Sequence, residues 1–296
     1  MNSAPSRFRP RGHVFRVLRL LATVLLVLLL LPYLIAPLYR FVDPVSMPML
    51  WRWATGQRVE RMVMPLNRIS PALPRAVISA EDGSFCTHHG IDWRGIREAF
   101  NDADDVFEMR GGSTITQQVV KNLFFWQGRS YIRKALELPL AVWVDLVLPK
   151  RRMLEIYLNI AQWGPTGQFG AEAGARYAFG KSARQLTARE AALMAAILPS
   201  PRGRSARAPS GTVRRLAAIY EARAARFAAR TACLKPPGSL NGGSPTRGVA
   251  VQKSRHSRGE LRNRDTRVAV QKSASFSRRI RHADFWTKAT LDSKSC

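Results

Sequence analysis

The most informative segment of the chain is Arg110-Gly-Gly-Ser-Thr-Ile-Thr-Gln-Gln-Val-Val-Lys-Asn-Leu-Phe124. Its two glycines free the backbone just before Ser113 and Thr114, and both of these residues are good helix caps. Apolar residues then recur with helical spacing, at Ile115, Val119, Val120, Leu123 and Phe124. The pattern predicts a loop that leads into a helix with a polar first turn.

The polar side chains of this helix could bind an anion. Gln117 and Lys121 are four residues apart and therefore share one face. Together with the free N–H groups of the first turn they offer hydrogen-bond donors and positive charge near the helix start. An ordinary capped surface helix shows the same pattern, so this stretch alone leaves both interpretations open.

Composition and charge exclude some classes of protein. The chain has 296 residues, of which 46% are hydrophobic, which is enough for a core and excludes disorder throughout. Its formal charge of +27 suits nucleic acid, anionic lipid headgroups or a diphosphate substrate equally well. The three cysteines, Cys86, Cys233 and Cys296, show neither metal spacing nor a paired framework, so the sequence predicts no structural zinc and no disulfide-rich fold.

The N-terminal region predicts a membrane anchor. Residues 20–38 contain no charged side chain and are about long enough to cross a bilayer. Five arginines precede this span and only Arg40 lies close behind it, so the positive-inside rule places residues 1–19 in the cytoplasm. No small-x-small cleavage site follows, which favours an uncleaved signal anchor.

Residues 40–230 read as one helical domain, and residues 231–296 as a disordered basic tail. Tryptophans and methionines between residues 42 and 67 fit a collar that touches the membrane, although core filling explains them too. In the tail, Val-Ala-Val-Gln-Lys-Ser occurs twice. The tail could bind anionic polymers, or its sequence could reflect an altered gene end.

A second polar stretch follows a predicted helix that starts at Ser70-Pro71, with Ser70 as its cap. This helix ends in Glu81 and Asp82, and acids at a helix C-terminus oppose the helix dipole. Such an unfavourable placement suggests a functional site.

Further along the chain, Arg133 and Glu137 are four residues apart, a spacing that also fits a simple surface ion pair. Pro139 should kink the helix that carries them.

With these residues in view, the chain resembles the monofunctional biosynthetic peptidoglycan transglycosylases, the glycosyltransferases that polymerise lipid II. Five blocks match in order over roughly residues 40–230: Glu81-Asp82-x-x-Phe85 with His88, Gly90 and Asp92; Gly111 to Gln118 with Lys121; Arg133-Lys134-x-x-Glu137; Lys150 through Leu154-Glu155-x-Tyr157-Leu158-Asn159; and Gly170-Ala171-Glu172 through Phe179-Gly180. Five ordered blocks are a specific signal. The resemblance implies a mainly α, lysozyme-like glycosyltransferase domain with a membrane-proximal jaw.

The resemblance also implies a reaction and the residues that carry it. The 4-hydroxyl of a lipid II acceptor attacks the anomeric carbon of a growing glycan that is joined to a polyprenyl diphosphate, with inversion. Glu81 matches the general base, and Lys121 and Arg129 match the contacts to the diphosphate. Glu137 matches a second acidic residue, which assists the acceptor or a divalent cation, Mg²⁺ or Mn²⁺; no other cofactor is implied.

The remaining matched residues are expected to shape the site. Ser113, Gln117 and Gln118 are expected to line the cleft, and the supporting residues are Asp82, Phe85 and Arg133. His88 is expected to be structural, and Cys86 beside it has no evident partner. The expected partners are lipid II, the glycan chain and other cell-wall synthesis proteins. The expected location is the bacterial cytoplasmic (inner) membrane, crossed once, with the catalytic domain on the periplasmic side.

Two other functions remain open from the sequence. A lytic glycosidase could use two glutamates on a similar fold, but it has no need of the cations Lys121 and Arg129. A non-catalytic basic scaffold would bind an anionic polymer in a strongly salt-dependent way, and the outward topology argues against nucleic acid as that polymer. A transpeptidase half is not expected, because neither Ser-x-x-Lys nor Lys-Thr-Gly occurs in the chain.

Overall fold

The computed structural model describes residues 11–102, 113–128 and 130–234. Within these ranges the chain is mainly α-helical, which confirms the predicted fold class. It forms ten α-helices: α1 (Arg11–Ile35), α2 (Met47–Ala54), α3 (Ala72–Glu81), α4 (Trp93–Asp102), α5 (Ile115–Phe124), α6 (Tyr131–Val147), α7 (Lys150–Ile160), α8 (Ala171–Phe179), α9 (Ala188–Ile197) and α10 (Gly211–Arg226). Two short strands, β1 (Glu60–Arg61) and β2 (Gln168–Phe169), complete it, with 3₁₀ turns at Ala36–Arg40, Leu66–Arg68, Ala183–Gln185 and Phe227–Leu234.

Helix α1 has the properties of a membrane anchor. The segment Val14–Arg40 has a mean hydropathy of 2.5 and its most apolar part is not buried against the rest of the protein. Pro32 lies inside α1, and Pro37 lies in the 3₁₀ turn that follows it. The length and composition therefore fit the anchor that the sequence predicts.

The end of the anchor is held to the helical domain by side-chain hydrogen bonds. The indole Nε1 of Trp143 in α6 donates to the carbonyl of Tyr33 at 2.9 Å. The guanidinium Nε of Arg152 in α7 donates to the carbonyl of Tyr39, also at 2.9 Å. Because α6 and α7 both pack around α5, the anchor is tied to the helices that carry the polar blocks.

The core contains two groups of helices. Helices α3, α9 and α10 pack on one another, and α5 packs on α6 and α7. Alanines allow close approach in the first group, since Ala191, Ala192, Ala195 and Ala196 in α9 are fully buried. The end of α3 and the middle of α5, which carry two of the polar blocks, therefore belong to different groups of helices.

The segment after α2 is clamped against the end of α7. Strands β1 and β2 pair in parallel, with Glu60 opposite Gln168 and Arg61 opposite Phe169. The side chain of Asn159 forms two hydrogen bonds with the backbone of Met64, accepting from its N–H at 2.8 Å and donating to its carbonyl at 2.9 Å. The matched block at the end of α7 is therefore a structural clamp.

Two expectations about local structure are corrected. Ser70 does not cap α3, which begins at Ala72 after Pro71; instead its hydroxyl donates to the carbonyl of Leu186 at 2.8 Å. A buried hydroxyl needs a partner, and tertiary packing supplies one 116 residues away. Of the methionines assigned to the collar, Met49 is fully buried and is a core residue, whereas Trp51 is 66% exposed and fits the collar.

Cys86, for which the sequence gives no evident partner, has one in the structure. Cys86 and Cys233 form a disulfide across a separation of 147 residues. Such a distance gives no spacing signal, so only the fold reveals the partner. Cys233 lies in the turn Phe227–Leu234, which continues past the predicted domain boundary at residue 230; the rest of the predicted tail, residues 235–296, lies outside the described residues.

Candidate active site

Glu81 is the last residue of α3, and its carboxylate is held by a residue of α5. The side-chain amide of Gln118 donates to Glu81 Oε2 at 2.8 Å. The hydroxyl of the buried Tyr157 in turn donates to Gln118 Oε1 at 3.0 Å. This relay fixes which end of the amide faces the carboxylate, because the hydroxyl donates to the amide oxygen and the amide nitrogen is left to donate to Glu81.

Burial gives Glu81 the properties of a base. Burial raises the pKa of Glu81, and together with the charge of Asp82 it exceeds the opposite effects of the Gln118 hydrogen bond and of the charges on Lys121 and Arg204. A carboxylate with a raised pKa takes up a proton more readily near neutral pH. Burial, together with the charges of Glu81 and Asp82, also raises the pKa of Tyr157, which keeps that hydroxyl protonated as a donor.

A cavity of about 360 Å³ opens beside this relay. Its wall includes Gln118 and Lys121 from α5, Tyr157 from α7, Pro48 from α2 and the segment from Leu198 to Arg202. The cavity is therefore bordered both by the relay and by the helix that carries the exposed Trp51.

Three cations lie close together on α5 and α6. Burial lowers the pKa of Lys121, the charge of Arg133 lowers it further, and the charge of Glu81 raises it. Burial and the charges of Arg133 and Lys121 lower the pKa of Lys134 to about 8. Lys121, Arg133 and Lys134 are therefore close enough to repel one another, and a bound polyanion would relieve that repulsion.

Lys134 connects the predicted cleft residues to one another. Its ammonium donates to the hydroxyl of Ser113 at 3.0 Å and to Gln117 Oε1 at 3.2 Å, and it lies 3.5 Å from Glu137 Oε2. The matched block includes Lys134, but the sequence predicts no role for it. Two of its three partners belong to the facing start of α5, so only the packing of α5 on α6 reveals these contacts.

Glu137 is 2% exposed and is already neutralised by cations. Arg133 forms an ion pair with Glu137 Oε1 on one side, and Lys134 approaches Oε2 on the other. Helix α6 runs unbroken from Tyr131 to Val147 through Pro139, so Glu137 keeps these partners. Among the described residues no cluster of three metal-ligating side chains exists. Both oxygens of Glu137 are therefore directed at cations of the protein itself.

Gln117 helps to cap α5, and the spacing between Thr114 and Gln117 in the sequence is typical of this role. Thr114 caps α5 by accepting from the backbone N–H of Gln117, and Gln117 Oε1 accepts from the backbone N–H of Thr114. This reciprocal pair is a capping box, which the spacing Thr-x-x-Gln indicates. Gln117 is 1% exposed, so it is Gln118 and not Gln117 that faces the cavity described above.

Asp82, Phe85 and His88 hold the end of α3 against the start of α5. Asp82 Oδ2 accepts from the backbone N–H of Ile115 at 2.9 Å and lies 2.9 Å from Nε2 of His88. Phe85 is fully buried, and the ammonium of Lys150 lies 4.8 Å from its ring centre. These contacts set the distance between Glu81 and α5, and they give His88 a structural role.

Arg129, the second residue assigned to the diphosphate, lies outside the described residues. Its neighbour Gly128 accepts a hydrogen bond of 2.8 Å from Arg133 through its carbonyl oxygen. Arg204 is a further cation near the site, since its charge acts on Glu81 and its guanidinium is fixed by a hydrogen bond of 2.9 Å to the carbonyl of Ala196. No sequence motif marks Arg204, because its position depends on the segment after α9.

Comparisons with known proteins identify the family of this chain. The family model described as Transglycosylase matches residues 49–224. A protein of Rhodopseudomonas palustris (strain TIE-1) is 65% identical over 222 residues, covering 75% of this chain and 93% of the relative. One of Nitrobacter hamburgensis is 64% identical (67% and 87% covered), and one of Brucella suis biovar 1 is 48% identical (72% and 95% covered). All three bear the name biosynthetic peptidoglycan transglycosylase. The chain therefore belongs to the transglycosylase family.

Proposed function

We propose that this chain is a peptidoglycan glycosyltransferase that polymerises lipid II into β-1,4-linked glycan strands, with release of polyprenyl diphosphate and without cross-linking. The observation that carries the proposal is the contact between α3 and α5. It places a half-buried carboxylate, Glu81, against Gln118 and within the electrostatic reach of Lys121. The names of the relatives support the same activity.

The chemical step needs a base and a stabilised leaving group. Glu81 takes the proton from the 4-hydroxyl of the acceptor sugar as that oxygen forms its bond to the anomeric carbon of the donor. The bond between this carbon and the phosphate oxygen breaks, and the diphosphate leaves with the electron pair. Attack opposite the leaving group inverts the anomeric centre and turns an α-linked phosphate into a β-linked glycan.

The cations stabilise the charge that develops on the diphosphate. Arg133 and Lys134 are held in place before substrate binds and Lys121 lies near them, so little reorganisation is needed at the moment of reaction. Arg129 joins them on the ground of the family resemblance alone. Glu137 keeps Arg133 and Lys134 in position through its two oxygens. A lytic glycosidase would have no use for this cluster.

The domain acts at a membrane and outside the cytoplasm. Helix α1 anchors the chain, and the exposed Trp51 and Trp53 on α2 add a surface that suits lipid headgroups. The arginines that precede the apolar span favour a cytoplasmic N-terminus, and the disulfide between Cys86 and Cys233 favours an oxidising compartment for the domain. These features support the periplasmic side of the inner membrane, where other cell-wall synthesis proteins are expected partners.

The test is a polymerisation assay with lipid II and the purified full chain in detergent. Glycan strands that a muramidase digests should appear, and no cross-linked peptides should form. Glu81→Gln should abolish the product, whereas Glu221→Gln, which removes only a surface partner of Arg189, should not. Cleavage of preformed strands without polymerisation would identify a lytic enzyme instead, and the absence of both reactions would reject an enzymatic role.

A further inference from the structure

An open groove of about 620 Å³ lies beside the cavity and shares Arg202 with it. Its wall carries three arginines, Arg52, Arg58 and Arg202, together with polar atoms of Gln57 and Thr166. Throughout the described parts of the chain, no acidic side chain lies within ion-pair distance of any of these three arginines. The groove is therefore a concentration of uncompensated positive charge.

Arg52 is built into the groove. The residue is only 7% exposed, and its Nε donates to the carbonyl of Arg58 at 2.9 Å. The turn over it needs Gly167, which has a φ of +97°; a Cβ there would collide with the Arg58 carbonyl and come within 2.8 Å of Arg52 Nε. A buried guanidinium without an acidic partner is costly, so its retention points to a bound anion.

The geometry favours an anion of the substrate over one of the bilayer. The exposed apolar side of α2 carries Met47, Leu50 and Trp51, whereas Arg52 is buried with Met49 on the opposite side. The groove also borders the cavity, since Arg202 lines both. An anion bound here would belong to a molecule that extends out of the cavity.

The diphosphate is not that anion, because Lys121, Arg133 and Lys134 already form its cluster. The other anionic groups of a peptidoglycan strand are the carboxylates of the stem peptides, which are attached to every second sugar. We propose that Arg52, Arg58 and Arg202 bind these stem-peptide carboxylates and so hold the strand in register beside the cavity; this inference rests on the proposed function. A guanidinium fork matches a carboxylate in geometry and charge.

The first test measures binding without catalysis. The probe is a soluble disaccharide–peptide fragment of peptidoglycan, prepared with free carboxylates and with the same carboxylates amidated. We expect the wild-type chain in detergent to bind the free form about tenfold more tightly, the effect of losing a charge-assisted hydrogen bond. The double variant Arg58→Gln/Arg202→Gln should bind both forms equally, and Arg58→Lys/Arg202→Lys should recover part of the difference. Arg215→Gln is the matched control, since Arg215 is exposed on α10 and lines neither the groove nor the cavity.

The second test compares polymerisation of lipid II with free and with amidated stem carboxylates. The ratio of the two kcat/KM values should fall from about ten in the wild type to about one in the glutamine double variant. Equal use of both substrates by an active wild type, or a ratio that the double variant keeps, would overturn the inference while leaving the proposed function standing. Carboxylate-dependent binding in a chain that polymerises nothing would instead reject the proposed function and keep the site.

A lipid headgroup as occupant gives a different result. Adding an anionic phospholipid to the detergent micelles would then change the wild-type rate more than that of Arg58→Gln/Arg202→Gln, and amidation of the peptide would have no effect. That outcome would also overturn the inference.

Discussion

Gln118 in α5 donates a 2.8 Å hydrogen bond to the carboxylate of Glu81 at the end of α3, and this contact joins two separately packed groups of helices. The hydroxyl of Tyr157 fixes the orientation of the Gln118 amide from behind. Asp82, next to Glu81, accepts from the first N–H of α5 and keeps the helices in register. The position of the Glu81 carboxylate is therefore determined by α5 as much as by its own helix.

Replacing Gln118 with leucine should move the acid limb of the pH–rate profile to higher pH. The Gln118 hydrogen bond lowers the pKa of Glu81, so its loss raises that pKa further, and the base is then deprotonated only at higher pH. Tyr157→Phe should shift the limb in the same direction but less. The measurement is kcat/KM for lipid II between pH 5 and 9, with Gln185→Leu, in the distant turn Ala183–Gln185, as control. An acid limb that stays at the same pH or moves to lower pH in Gln118→Leu would contradict the predicted effect of this hydrogen bond on Glu81.

Glu81→Gln should lower the polymerisation rate by at least about 10² while preserving or raising stability. Burial raises the folded-state pKa of Glu81 above its unfolded value, so native stability falls as pH rises between the two. Glutamine does not titrate, so the melting temperature of the variant, measured relative to that of the wild type, should increase as pH rises through this window. Thermal unfolding at pH 4 and pH 7 checks the sign, and a variant whose melting temperature falls relative to the wild type over this interval would refute it.

Lys121→Gln should reduce kcat/KM by roughly 10²-fold, because it removes a fixed cation from the leaving diphosphate. It should also shift the acid limb upward, since the charge of Lys121 lowers the pKa of Glu81. Lys181→Gln removes a cation that pairs with Glu190 in the first turn of α9 and serves as the control. If Lys121 had only a structural role in its helix, Lys121→Gln would change the melting temperature but would not shift the acid limb of the pH–rate profile.

Loss of the disulfide should destabilise the domain by about 2–5 kcal/mol. The bond ties Cys86, close behind Glu81 in the chain, to the turn Phe227–Leu234. Cys86→Ser, Cys233→Ser and reduction of the wild type should lower the melting temperature by similar amounts. Cys296→Ser should not, because that residue takes no part in the bond. Additive losses in the double variant Cys86→Ser/Cys233→Ser would show that the two residues act independently.

Asp82→Ala should cost about 2–4 kcal/mol of stability, because it leaves the N–H of Ile115 and the ring of His88 without a buried partner. Asp43→Ala is the comparison. It removes a partly exposed carboxylate that pairs with Arg152, and such pairs contribute about 0–1 kcal/mol. Chemical denaturation of both variants measures the two losses, and equal values would show that the link between α3 and α5 is unimportant.

Local sequence patterns predict several features of the site. The helix from Ile115 to Phe124 and the end of α3 at Glu81 follow from caps and apolar spacing, and both occur as predicted. The capping box between Thr114 and Gln117 also has a local spacing signal, and it accounts for Gln117 better than the expected role in the cleft. Ser70 shows the opposite case, because its position predicts a helix cap but its hydroxyl instead forms a tertiary hydrogen bond with the carbonyl of Leu186.

The anchor, the helical class and the order of the polar blocks can be read from the chain alone, because hydrophobic length, helical period and local spacing are properties of neighbouring residues. The packing of the helices is needed to see that Gln118 reaches Glu81, that Lys134 connects Ser113, Gln117 and Glu137, and that Cys86 pairs with Cys233. Those contacts span from 3 to 147 residues and depend on how the helices pack. Burial, which raises the pKa of Glu81, is likewise a property of the folded core and of no single stretch of chain.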